Sequence, residues 1–92
     1  MTAEPRFQRA PAALWRIVGD KVLLTRSEWP AFEQLSGSAA SIWLMLEDQP
    51  TCKELTHFLA YDHDVASDEI ELQVGSFVAE LEGRGWIERC SL

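Results

Sequence analysis

Apolar and polar residues alternate between positions 14 and 26, which is typical of two antiparallel strands. Gly19 and Asp20 lie at the centre of this stretch, and a two-residue loop that begins with glycine predicts a type II′ turn. The resulting register places four apolar side chains on one face, with Trp15 opposite Leu24 and Ile17 opposite Val22. Because a shift by one residue would mix apolar and polar side chains on both faces, the pattern fixes the register.

A third short strand is predicted at Ala31–Leu35, after the break at Trp29-Pro30. The pattern assigns no partner to the outer side of this strand, so we expect an open sheet edge there, and such an edge normally needs a cover. Residues 1–13 show no periodicity. We therefore expect a flexible N-terminal arm over residues 1–13 and a folded domain over residues 14–92.

The apolar spacing then changes from two residues to three and four, which predicts helices. The first helix has a buried stripe that consists of Ala39, Ile42, Trp43 and Leu46. Ser36 or Ser38 can cap its start, and Pro50 ends it. The order of elements predicts an α+β domain, in which helices cover one face of a small antiparallel sheet.

Two more helices are predicted. Thr51 and Glu54 have the spacing of a capping box, which begins a helix that extends to about Tyr61. Ser67 is expected to cap the last helix, which ends near Gly83. Its buried stripe consists of Ile70, Val74, Phe77, Val78 and Leu81. The apolar pair Trp86-Ile87 then returns to the core and can form a fourth strand.

Charge excludes one class of function. The chain has 8 basic and 15 acidic side chains and a net charge of −7. Residues 1–30 carry five basic and three acidic side chains, whereas residues 31–92 carry three basic and twelve acidic ones. A nucleic-acid-binding protein needs a basic surface that displaces phosphate counterions, so we expect no nucleic acid partner.

The chain contains no nucleotide-binding or nucleophile motif, and its candidate metal ligands are poorly arranged. His57 lies off the buried helical face and His63 lies in a loop, so we expect no metal site, no cofactor and no catalytic residue. Cys52 and Cys90 are far apart and predict free thiols in a cytoplasmic protein. No apolar segment reaches the ~20 residues of a membrane span.

Several stretches together resemble the PqqD-like family. They are Trp15–Leu24, Phe32–Ser36, Ala39–Leu46, Thr51 with Glu54-Leu55, Val74–Leu81 and Gly85-Trp86-Ile87. The resemblance covers about residues 14–88. It implies a winged-helix-like domain, in which a three-stranded antiparallel sheet is followed by three helices.

The resemblance also implies a function, that of a RiPP recognition element. Such a domain binds the leader region of a ribosomally synthesised precursor peptide and presents it to a maturation enzyme. That enzyme would be a leader peptidase and cyclase in a lasso-peptide pathway, or a radical enzyme in a pyrroloquinoline quinone pathway. The leader would add as a strand to the third strand, beside the third helix.

The residues implied for peptide binding come from both walls of that groove. They are Ala31, Phe32, Glu33, Gln34, Leu35, Glu71, Leu72, Gly75, Val78 and Glu82. Gly75 in particular would either leave room for a peptide backbone or allow close packing on a neighbouring element. The protein would be a monomer or a weak homodimer.

Two other interpretations remain open from the sequence. A winged-helix transcription regulator would have a similar topology, but five acidic residues on the third helix would repel DNA phosphates. A small assembly subunit could instead use the open sheet edge to dimerise.

Overall fold

A computed structural model describes residues 4–28 and 32–90. In chain order the elements are β1 (Phe7–Arg9), β2 (Leu14–Val18), β3 (Lys21–Thr25), β4 (Glu33–Leu35), α1 (Ser38–Met45), a 3₁₀ turn (Leu46–Asp48), α2 (Cys52–Asp62), α3 (Ser67–Gly83) and β5 (Ile87–Arg89). The predicted α+β class is confirmed, with a three-stranded antiparallel sheet that precedes three helices.

The predicted hairpin is confirmed residue by residue. Strands β2 and β3 pair antiparallel, and both Trp15–Leu24 and Ile17–Val22 are partners in the ladder. Gly19 has a φ of +64°, and Asp20 is not among the residues with positive φ, which fits a type II′ turn. The sheet order is β2-β3-β4, so the third strand occupies one edge as expected.

The core lies between the sheet and the helices. Its most deeply buried side chains are Val22, Leu24, Trp43, Leu46, Leu55, Val78, Leu81 and Trp86. Strand β3 supplies two of them, whereas every residue of β2 is exposed. The helices therefore cover β3 and β4 and leave β2 projecting beyond the core.

The expectation of a flexible arm over residues 1–13 is wrong for residues 6–9. Strand β1 pairs with β5 in a second, two-stranded sheet, and Arg6 bridges to Thr51. Phe7 is only 4% exposed and belongs to the core. The strand after Trp86 exists, but it pairs with this N-terminal segment and not with the three-stranded sheet. Burial of Phe7 and pairing with β5 together hold the segment in place.

Two of the three predicted helix starts need correction. Helix α1 is capped by Gly37 at a φ of +58°, without a side-chain hydrogen bond from either neighbouring serine. Helix α3 has Ala66 at its N-cap, one residue before the expected Ser67. The capping box of α2 is confirmed, because the Glu54 amide donates to the Thr51 hydroxyl at 3.1 Å and the Thr51 amide donates to the Glu54 carboxylate at 3.0 Å.

Candidate functional site

The open edge of β4 is the most distinctive surface of the sheet. Strand β4 pairs with β3 on one side only, and on its outer side it pairs with no other strand in the described part of the chain. An edge strand presents unpaired backbone N–H and C=O groups, which another chain can use to extend the sheet. The edge is short, because β4 comprises three residues.

The hairpin determines which backbone groups of β4 point outward. Val18 and Lys21 flank the two-residue turn, and this position is a hydrogen-bonded pair in an antiparallel ladder. Bonded and non-bonded pairs alternate, so Val22 and Leu24 direct their N–H and C=O groups away from β2 and toward β4. Because Leu35 pairs with Val22, it uses its backbone groups inside the sheet.

Gln34 is consequently the residue that faces outward. Its neighbours Glu33 and Leu35 bond to β3, whereas the Gln34 N–H and C=O groups point to the free edge. The Gln34 side chain is exposed and the Leu35 side chain is buried. A strand that adds to β4 would therefore bond to the backbone of Gln34. Phe32 is exposed just before the strand, and Ala31 lies outside the described residues.

One flank of α3 forms the second wall beside β4. The Arg84 guanidinium donates to the Glu33 carboxylate at 3.0 Å, so the end of α3 lies close to the strand. Residues at intervals of three, four and seven share a helical flank. Glu80, Phe77 and Gln73 therefore lie on the same flank as Arg84, facing the β4 side of the domain.

A cavity of about 340 Å³ continues from this flank, and its lining is mostly apolar. Its lining residues are Ser38, Ala39, Ile42, Leu59, His63, Val65, Ile70, Gln73, Val74 and Phe77. Ser38 is three residues after the end of β4, so the cavity lies beyond the C-terminal end of the strand. The volume is large enough for one or two bulky apolar side chains of a ligand.

The α3 residues expected to bind a peptide lie mainly elsewhere. Gly75, Val78 and Glu82 line a shallow depression together with Phe7 and Cys52, on the side of β1 and β5. Arg89 of β5 donates to the Glu82 carboxylate at 3.0 Å, which identifies this flank as the one opposite β4.

Glu71, Leu72 and Gly75 of α3 were also expected to lie beside β4, and they lie elsewhere. Glu71 and Leu72 line an open surface with Gly75, and Leu72 is 82% exposed. A Cβ atom at Gly75 would meet no heavy atom of a neighbouring element within 4 Å, so the alternative of close packing at this glycine is wrong. The structure thus joins Glu33 to the flank of Gln73 and Arg84 and separates it from Glu71, Gly75 and Glu82.

The sequence held two signals for the flank of α3 that lies beside β4. Arg84 is the one basic residue in the strongly acidic segment 54–88. Glu33, on the predicted edge strand, carries the opposite charge. Gln73 and Phe77 are four residues apart and lie beside the buried stripe. The stripe alone indicates which side of a helix is buried, but not which neighbour covers each flank.

Ionisable groups give this region little chemistry beyond binding. In the described ranges 4–28 and 32–90, no group of three or more His, Cys, Asp and Glu side chains is placed to hold a metal ion. Burial, followed by the charge of Glu4, raises the pKa of the Cys52 thiol, which disfavours a reactive thiolate. The Glu33–Arg84 pair is partly exposed and can break without a large cost.

Comparison with known proteins supplies the family. Among solved structures, TbiB1, determined in complex with the TbiA(beta) leader peptide, has the same fold, with a TM-score of 0.81 at 18% identity. The alignment covers 92% of this chain and 99% of that chain. Comparison with curated proteins finds no match. None of the helices in the described segments is long and apolar enough to cross a membrane.

The family model for coenzyme PQQ synthesis protein D (PqqD) matches residues 22–87, from the second hairpin strand to the start of β5. This range includes β4, all three helices and both walls of the candidate groove. The chain therefore belongs to the PqqD family.

Proposed function

We propose that this protein binds the leader region of a ribosomally synthesised precursor peptide and presents it to a maturation enzyme, without catalysing a reaction itself. The single observation that carries the proposal is the open edge of β4, where the Gln34 backbone faces outward beside α3. A leader peptide is bound in the TbiB1 structure, whose fold this chain shares. An extended peptide on a sheet edge gains affinity from backbone hydrogen bonds and selectivity from side-chain pockets.

For a peptide that adds antiparallel to β4, the groove offers one apolar anchor. A strand antiparallel to β4 would begin near Ser38 and end near Glu33, so its N-terminal part would lie closest to the apolar cavity. An apolar side chain buried in that cavity would contribute about 1.5–3 kcal/mol. The peptide would therefore carry a bulky apolar residue before the segment that pairs with Gln34.

The expected affinity is moderate. Each backbone hydrogen bond contributes about 0.5–1.5 kcal/mol net, and association costs about 4–15 kcal/mol before any ordering of the peptide. With a short edge and one cavity, we expect a Kd on the order of 0.1–10 μM.

The acidic surface supports a peptide rather than DNA as the ligand. Helix α3 carries Asp68, Glu69, Glu71, Glu80 and Glu82, and a DNA-binding helix with these side chains would face phosphate repulsion. A transcription regulator is therefore not favoured. We also propose that the protein is cytoplasmic. Its partner would be either the leader peptidase and cyclase of a lasso-peptide pathway or the radical enzyme of a pyrroloquinoline quinone pathway.

Titration calorimetry with the cognate leader tests the proposal through two proline variants. Gln34→Pro removes an outward-facing N–H from the β4 edge. The loss of this one hydrogen bond should weaken leader binding by about 2- to 13-fold. Ile17 belongs to a non-bonded pair with Val22, so its N–H points away from β3 at the opposite edge of the sheet, in β2. Ile17→Pro therefore makes the same change there and should bind the leader as the parent does.

Circular dichroism confirms that both variants fold. If folded Gln34→Pro binds as tightly as the parent, or if Ile17→Pro is the variant that loses binding, the peptide does not occupy the β4 edge. Should Gln34→Pro fail to fold, Gln73→Arg places a bulky charge on the exposed groove flank and takes its place.

A further inference from the structure

The side chains of β4 alternate between the two faces of the sheet, and this alternation decides which of them a bound peptide meets. Glu33 pairs with Leu24 of β3. Leu35 likewise pairs with Val22, and directly paired residues share a face. Both β3 partners are buried in the core beneath the helices. The side chains of Glu33 and Leu35 therefore lie on the helix side of the sheet, and the Gln34 side chain lies on the other face.

A strand that adds antiparallel to β4 would place one of its residues directly beside Glu33. Gln34 would form the hydrogen-bonded pair with that strand, because its N–H and C=O groups point outward. Bonded and non-bonded pairs alternate, so Glu33 and Leu35 would form non-bonded pairs, in which opposite side chains come closest. The peptide residue opposite Leu35 comes first along the peptide, and the residue opposite Glu33 follows two positions later.

The Glu33 carboxylate belongs to a cluster with one uncompensated negative charge. Arg84 donates to Glu33 at 3.0 Å, and its other terminal nitrogen lies 3.9 Å from the Glu80 carboxylate, one turn earlier in α3. One guanidinium thus faces two carboxylates. Arg26 also contacts the backbone just after α3, but Glu28 pairs with it at 2.7 Å, so these two charges cancel.

Both carboxylates remain accessible to a ligand. The Glu33 side chain is 32% and the Glu80 side chain 60% exposed, so they lie at the surface of the groove and not beneath it. Ion pairs as exposed as those of Arg84 contribute little to stability and rearrange readily. A basic side chain of a peptide can therefore share the two carboxylates with Arg84, because no buried bond has to break first.

We propose that Glu33 is a specificity-determining residue, and that the leader bound by this chain carries an apolar residue followed two positions later by lysine or arginine. This inference rests on the proposed leader binding and adds the sequence pattern that the groove selects. The apolar residue would lie opposite Leu35, next to the apolar cavity, and the basic residue would lie opposite Glu33. Opposite charges at directly paired positions stabilise a sheet, whereas two acidic side chains there destabilise it.

The charge of the whole domain favours the same class of peptide. Residues 31–92, which include β4 and all three helices, carry three basic and twelve acidic side chains. A surface of this charge attracts a cationic peptide over a distance and repels an acidic one. General attraction of this kind does not depend on where the basic residue lies along the peptide. The pair with Glu33 does depend on it, so position distinguishes the two effects.

Titration calorimetry of the full chain with synthetic peptides of the cognate leader tests this pattern. An alanine scan of the peptide identifies the apolar residue whose loss weakens binding most, and we expect lysine or arginine two positions after it. Replacing that basic residue by glutamate should weaken binding to the parent by about 2- to 30-fold, the range between an opposite-charge and a like-charge pair.

Two variants of the protein locate the effect. Glu33→Lys should reverse the preference, so that the glutamate peptide binds more tightly than the basic one. Asp48→Lys is the matched control, because it changes the net charge equally at an exposed residue that lies beside Arg6 and Glu54, away from β4. This control should prefer the basic peptide as the parent does, and circular dichroism confirms that both variants fold.

Three results would overturn the proposal. They are a leader without a basic residue at that position, a parent that binds both peptides equally, and a preference that Glu33→Lys retains or that Asp48→Lys also reverses. If Glu33→Lys does not fold, Glu33→Gln replaces it and should lose most of the preference. A leader that does not bind at all refutes leader binding and this pattern together, whereas binding without a charge preference refutes the pattern alone.

Discussion

Replacing Gly75 by alanine should make the protein more stable without affecting its peptide groove. Gly75 lies inside α3 and is not among the glycines with positive φ, so its backbone has the helical conformation that alanine prefers. A Cβ atom there would meet no heavy atom within 4 Å. Glycine in a helix interior costs about 0.5–1 kcal/mol relative to alanine, and the substitution should recover most of it.

The size of the effect is measurable in a domain of 92 residues. A change of 1 kcal/mol shifts the Tm of such a domain by about 4–8 °C, so Gly75→Ala should raise it by about 2–8 °C in scanning calorimetry. Gly37→Ala is the matched control, because Gly37 has a φ of +58° at the N-cap of α1. Alanine is strained in that conformation, so the control should lower stability by about 1 kcal/mol or more.

The same variant tests which flank of α3 lines the groove. Gly75 lies on the side of β1 and β5, away from Glu33 and Arg84, so Gly75→Ala should bind the leader within about 2-fold of the parent. A variant that is no more stable than the parent would contradict the helical argument. A folded variant that loses leader binding would show that the peptide occupies the other flank.

Other predictions concern the N-terminal segment, the cap of α2 and one thiol. Phe7→Ala should destabilise the protein by about 3–5 kcal/mol in urea unfolding, and an unchanged midpoint would mean that β1 is not part of the core. Thr51→Ala should cost about 0.5–2 kcal/mol by removing the cap, which the same urea titration measures. The backbone N–H of Thr51 donates to the Glu54 carboxylate and lowers the pKa of Glu54. This hydrogen bond therefore stabilises the fold at pH values above the usual carboxyl pKa. The stabilisation is lost as the pH falls through the lowered pKa. Unfolding curves of the parent and Glu54→Gln should therefore differ near neutral pH and converge in acid, and a constant difference would contradict this. Burial raises the pKa of Cys52, so iodoacetamide should modify it more slowly in the folded protein than in urea, as followed by mass spectrometry, and equal rates would refute this.

Local patterns predicted the local structure well. The hairpin register follows from alternation and a glycine-first turn within a dozen residues, so no distant part of the chain was needed to fix it. The capping box of α2 is likewise contained in four residues, from Thr51 to Glu54. Strand β4 was recognisable as an edge because nothing nearby could pair with its outer side.

The pairing of strands that lie far apart in the sequence could not be predicted from such local patterns. Strand β1 contains one apolar residue in three, and its partner β5 lies at the other end of the chain, so no periodic signal connects them. The helix caps were missed by one residue because glycine and alanine occupy N-caps without a side-chain bond. The flank of α3 that lies beside β4 could not be predicted for the same reason, because the packing of β1 and β5 decides which side of the helix stays open toward β4.

The most direct test of the central claim is amide hydrogen exchange at Gln34, measured by NMR on the labelled full chain with and without the cognate leader. If the leader adds as a strand to β4, the Gln34 N–H changes from an exposed group to a hydrogen-bonded one, and its exchange should slow as the leader saturates the protein. The outward-facing N–H of Ile17, on the opposite edge, should be unaffected by the leader and serves as the internal reference. Leader binding that leaves Gln34 exchange unchanged, or that protects Ile17 instead, would contradict the account.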